Sequence, residues 1–231
     1  MTATSGTTTP HVGAARSWHL VTALISFLSL LVQFVLIVRG VNVLVDDATG
    51  RPAADVATRV LRFFSYFTVQ SNVLVIVTET MLALDPERDG RWFRVLRIAG
   101  LIGITVTFIV YLVALRPILD LSGLAAVTDV GFHVATPILA VAGWVLFGPR
   151  PRFERRTLLL SLSWPGLYFV YSLIHGGITD WYPYPFVDVT KIGYGSTLLN
   201  TGVVLVLLLA IGSVFVWLDG RLRRTSAPQR P

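Results

Sequence analysis

Apolar residues fall in six runs of about twenty along this chain, separated by charged or helix-breaking residues. Wound as helix at about 1.5 Å per residue, a run of that length crosses the roughly 30 Å hydrocarbon layer of a bilayer. The runs cover about 18–38, 63–84, 95–115, 124–147, 157–174 and 196–218. Asp85-Pro86, Arg116-Pro117 and Gly148-Pro149 close three of them with helix-stop chemistry. Pro137 and Pro165 fall inside the fourth and fifth, where each is expected to kink its helix and free a backbone carbonyl. The pattern predicts an all-α polytopic membrane protein, a six-transmembrane-helix bundle over 17–219. A small, polar segment at 1–16 reads as a disordered tail, and 220–231 as a short basic tail.

The polar positions inside the runs are fewer and more informative. Ser65, Thr68 and Asn72 follow each other at three and four residues, so one helix would carry them on one face. Hydrocarbon offers them no hydrogen bonds, so that face must turn toward other helices or a wet cavity. Glu79, lower on the same run, reads either as a proton-relay carboxylate or as a side chain reaching the next loop to pair with an arginine such as Arg88.

Charge fixes an expected orientation. Thirteen arginines fall on the side of the two termini and of the second and fourth connections. Six basic residues fall on the other: Arg39, Arg51, Arg59, Arg62, Arg116 and Lys191, the one lysine. The positive-inside rule then puts both termini in the cytoplasm. The formal charge of +6 is an orientation signal, and nucleic acid is not an expected partner. Only 14% of residues are charged, against about 25% in soluble domains. With no cysteine, disulfides and a thiol nucleophile are excluded. Frequent Arg, Ala and Val point to a bacterial source and hence to the plasma membrane.

In that orientation Thr68 lies about 8 Å, and His133 about 14 Å, into helices that start on the outer side. A hydroxyl becomes nucleophilic when a neighbouring base takes its proton, and histidine is the usual base. Asp129, four residues before His133, is placed to orient it, and Asn72, one turn below Thr68, to donate to an oxyanion. The bland alternative is that Thr68 back-bonds to its own helix and that these side chains join helices. His133 with His175 could ligate a metal or haem, or His175 could be an interfacial side chain beside Gly176-Gly177. The outer run of Trp181, Tyr182, Pro183, Tyr184 and Pro185 reads as an interfacial belt or as a lid over a lipid site. No phosphate loop, His-Glu-x-x-His or Gly-x-Ser-x-Gly occurs, and neither a metal nor a cofactor is expected.

At these residues the chain resembles a group of bacterial six-helix integral membrane proteins of unknown function. They carry a Phe-Thr-x-Gln-Ser-Asn segment, here 67–72 with Gln70, a helix-four histidine, here Phe132-His133 with Pro137, and a Tyr-Pro-x-x-Phe-x-Asp outer loop, here 182–188. Their layout is similar to the eukaryotic androgen-induced protein family of membrane threonine hydrolases, which cleave fatty acid esters of hydroxy fatty acids. The resemblance implies Thr68 as nucleophile and His133 as base, with membrane lipids around the bundle and an acyl ester as substrate. The competing expectation is a non-enzymatic membrane protein that binds a lipid or small ligand.

Overall fold

The computed structural model describes residues 10–41, 54–150 and 152–222. Among these all regular structure is helical, without strands. Six segments are long and apolar enough to cross a membrane: Val12–Val38, Phe67–Leu84, Arg91–Ile118, Gly123–Phe147, Arg155–Thr179 and Val189–Arg221. That is the architecture of a multi-pass integral membrane protein, and it matches the six runs.

The elements in chain order are α1 (Pro10–Val38), α2 (Val56–Ser65), α3 (Phe67–Leu84), α4 (Arg91–Val110), α5 (Gly123–Val130), α6 (Thr136–Phe147), α7 (Arg155–Thr179) and α8 (Val189–Arg221). α1 starts at Pro10, a residue suited to a first helical turn, so 10–16 is helical where a loose tail was expected. Residues 1–9, Arg51 and the tail beyond 222 lie outside the described residues.

The second run differs most from expectation. Its first residues belong to a separate helix, α2, whose N-cap Asp55 accepts the Thr58 N–H. Extended backbone at Tyr66 separates α2 from α3. Ser65 therefore sits across a break from Thr68 and Asn72. Its hydroxyl donates to the Leu61 carbonyl and meets Tyr171, while its own carbonyl accepts from Tyr168.

α4 is the centre of the bundle. Ile98, Leu101, Ile102 and Ile104 are at most 2% exposed, and α4 packs against α3, α6, α7 and α8. At Gly103 a Cβ would stand 2.8 Å from Ser71 Oγ and 2.9 Å from the Trp164 ring, so a hydrogen there lets α3 and α7 approach. α4 continues through a wide π turn (Tyr111–Leu115) and a 3₁₀ turn (Arg116–Ile118). A second π turn (Gly131–Ala135) joins α5 to α6.

α1 and α3 pack lengthwise along a polar seam. His19, Thr22, Ser26 and Gln33 line it from α1, and Thr68, Asn72 and Glu79 from α3, all buried. At the arginine-rich end Glu79 is fully buried. It accepts from His19 Nδ1 at 2.5 Å and from Arg97 Nη1 at 2.6 Å. Its arginine is thus Arg97 of α4 within the bundle, where the sequence suggested Arg88 of the loop. The same end is tied together by Arg94 and Arg152 on Asp89, and by the Arg152 and Phe153 N–H groups on Asp219. The Arg94 hydrogen bond holds the Asp89 carboxyl down at about 2.

Candidate active site

The far end of the seam holds a hydrogen-bonded chain of four side chains from three segments. Thr68, on the first turn of α3, is 6% exposed. Its Oγ1 lies 3.4 Å from His133 Nε2. His133 Nδ1 donates to Asp129 Oδ1 at 2.8 Å, and Tyr111 donates to Asp129 Oδ2 at 2.6 Å. A carboxylate accepts at both oxygens, so Nδ1 carries the ring proton and Nε2 presents a lone pair to the threonine hydroxyl.

Local backbone explains the convergence. Both π turns contribute: Tyr111 begins one and His133 is central in the other. A π turn adds a residue to the helical repeat and re-aims what it carries, a feature common at functional sites. The two rings stack at 4.3 Å with planes 8° apart. In the His133 turn the Thr136 N–H goes to Gly131, and the next residue, Pro137, has no N–H. The Phe132 carbonyl is left without its helical donor, and Asn72 Nδ2 supplies one at 3.3 Å. The carbonyl that Pro137 was expected to free is real, and Asn72 serves it; His133 remains directed at Thr68 and Asp129.

Asn72 therefore has little left for chemistry. Its amide donates to the Thr68 and Phe132 carbonyls, and its oxygen accepts from Ser26. It braces α1, α3 and the π turn. Gln70 faces elsewhere, accepting from Trp164 and donating to the Phe64 carbonyl across the α2–α3 break.

The aromatic loop after α7 closes this end. Asp180 ends the helix in the left-handed region, at φ 53°. Trp181 stands edge-on to Tyr66 beneath Arg62. Tyr182 lies over Gly176, where any Cβ would collide with its ring. Tyr184 reaches furthest: its hydroxyl is 3.3 Å from Thr68 Oγ1 and accepts the Thr68 N–H at 3.2 Å. Burial pushes the Tyr184 phenol up, so it stays a protonated donor at neutral pH. His175 sits apart, beside Thr179 and edge-on to Trp181.

Thr68, His133, Asp129 and Tyr184 line a cavity of about 60 Å³. Its other walls include Phe63, Tyr66, Leu119 and Leu121, so it is largely apolar, with Gln33 the one further polar residue among those that line it. Tyr111 is the member that sequence reasoning did not place at the site, and Tyr184, expected there as part of a lid or belt, goes further and reaches Thr68 itself. Tyr184 was legible as part of an aromatic lid or belt but not as a partner of Thr68, and Tyr111 gave no signal beyond a tyrosine near the end of an apolar run.

Comparison with known proteins adds no identity: no family model, curated protein or solved structure matches the chain.

Proposed function

We propose that this protein is a membrane-embedded hydrolase of lipid esters in the bacterial plasma membrane, with both termini cytoplasmic and the site in the outer half of the bilayer. The observation that carries the proposal is the Thr68–His133–Asp129–Tyr111 chain abutting an apolar cavity. Such a chain serves hydroxyl activation, and an apolar cavity suits an acyl chain.

In this mechanism Thr68 Oγ attacks the ester carbonyl carbon as His133 Nε2 takes the hydroxyl proton. The C–O bond to the alcohol breaks, His133 returns the proton to the departing oxygen, and an acyl-Thr68 remains. Water then attacks that ester with His133 again as base, and the acid leaves with Thr68 restored. Asp129 stabilises the imidazolium formed in each half. Tyr184, rather than Asn72, is the oxyanion donor: it stands beside Oγ1, and accepting the Thr68 N–H sharpens its own O–H as a donor.

A second reading rests on Asn72, Ser65 and Gln70, whose polar atoms join helices. In it the cavity binds a lipid without chemistry. Hydrolysis by the purified protein of a panel of long-chain fatty acyl esters separates the two. The hydrolase reading expects turnover that Thr68→Ala abolishes; turnover unchanged in Thr68→Ala contradicts it. Tyr184→Phe keeps the ring packing and is expected to lower kcat by about 10²–10³ with KM little changed, the usual cost of one oxyanion donor. A kcat within about threefold of the parent would remove Tyr184 from that role.

A further inference from the structure

A second cavity, of about 30 Å³, lies on the other side of Thr68, toward α4, α7 and α8. Thr68, Leu115 and Tyr184 line both cavities, so the reactive hydroxyl stands between them. An ester carbonyl at Thr68 has two substituents to place, and there are two spaces to take them. The larger, apolar one suits the acyl chain, leaving the smaller for the alcohol.

The smaller cavity is not purely apolar. Thr107 lines it and is 5% exposed, and its Oγ1 is buried without a hydrogen-bond partner among the described residues. Thr105 of the same helix, like Thr78 of α3, bonds instead to the carbonyl one turn back. The other hydroxyls on this wall are committed, Tyr168 to the Ser65 carbonyl and Tyr184 to Thr68. Thr107, buried on α4, lies one helical turn before Tyr111, the first residue of the π turn, whose ring stacks on His133. Thr197 and Thr201 of α8 are also buried without a protein partner, but neither lines the cavity.

A buried hydroxyl left unpaired costs free energy that a ligand group recovers on binding. At about 10–15 Å³ per water-sized occupant, the cavity has room for two or three such groups, the size of a hydroxyethyl fragment. We propose that this cavity is the alcohol subsite, that Thr107 hydrogen-bonds a hydroxyl carried two carbons from the ester oxygen, and that the substrates are monoesters of 1,2-diols or polyols rather than plain alkyl esters. The proposal rests on the hydrolase reading for its chemistry, but the binding it asserts can be measured alone.

The test uses two ethers that cannot be hydrolysed, 2-(decyloxy)ethanol and decyl propyl ether, which differ by hydroxyl against methyl at one end. Their affinities are measured by calorimetric titration of the purified, detergent-solubilised protein, the Thr107→Val variant and the Thr107→Ser variant. Valine keeps the shape of threonine and removes an unpartnered hydroxyl, so the fold is expected to survive; serine keeps the hydroxyl. Comparing the ratio of the two affinities between variants cancels the ethers' different partition into detergent. It is expected to move about tenfold against the hydroxy ether in Thr107→Val, as one hydrogen bond is lost, and to be retained in Thr107→Ser. A ratio that does not change in Thr107→Val, a ratio lost equally in Thr107→Ser, or no binding of either ether overturns the subsite. Ester hydrolysis without this hydroxyl dependence would leave the hydrolase reading and remove the subsite. Hydroxyl dependence in a protein that cleaves no ester would do the reverse.

Discussion

Glu79→Leu is expected to destabilise the bundle by about 3–5 kcal/mol, the cost of removing one member of a buried charge pair. The carboxylate is fully buried and holds two partners from two other helices, His19 of α1 and Arg97 of α4. Without it the Arg97 guanidinium, 2% exposed, loses its one acceptor among the described residues, where Nε and Nη2 have none. An uncompensated cation in that position must draw in water or shift helices. The loss therefore measures the stranded charge more than the worth of the pair. Replacing both partners, as Glu79→Leu with Arg97→Leu, is expected to recover most of the stability. Equilibrium unfolding of the solubilised variants checks both. A single-variant loss under about 1 kcal/mol, the scale of an exposed pair, would show that the triad carries no buried charge.

The second large effect is on turnover. His133→Gln removes the base and is expected to lower kcat by about 10²–10⁴. Asp129→Asn is expected to come close to the same loss. An asparagine can offer its N–H where the carboxylate accepted, which turns the imidazole tautomer round and takes the lone pair away from Thr68. Tyr111→Phe should cost less, since it leaves the His133–Asp129 bond and removes only its outer brace. Steady-state kinetics on a cleaved ester reads the series, with KM expected to stay near the parent value. An Asp129→Asn enzyme as fast as the parent would mean that His133 acts without its orienting partner. Because the three act as one chain, double variants should lose little beyond the worst single one.

How much of this was legible in the sequence depends on what kind of signal each part leaves. The six crossings were plain, because twenty apolar residues in a row have few other uses. Thr68, Asp129 and His133 were legible as residues, through helical spacing and through the rarity of ionisable groups in such runs. The break at Tyr66 was not: 63–84 reads as one run without a proline or glycine, and only the Asp55 cap and the arginines at 59 and 62 mark α2 as a separate, amphipathic turn of chain. The π turns were hidden too, since one extra residue in a helical repeat leaves no compositional trace. They nonetheless bring Tyr111 against His133 and pass the Phe132 carbonyl to Asn72. The triad around Glu79 had a signal that went unused. His19, Thr22, Ser26 and Gln33 recur at helical intervals along the first run, a polar stripe facing the one on α3. Tyr184 was a candidate for a lid over the site, but its contact with Thr68 was not legible, because a loop residue gives no register against a helix.

The central claim is that Thr68 is a nucleophile activated by His133, and labelling with a fluorophosphonate probe tests it most directly. The purified, detergent-solubilised parent protein is treated alongside Thr68→Ala and His133→Ala, and the modified residue is mapped by mass spectrometry. The account predicts a covalent adduct on Thr68 in the parent and none in either variant. A folded parent protein that takes up no probe, or an adduct that persists in Thr68→Ala, would contradict it.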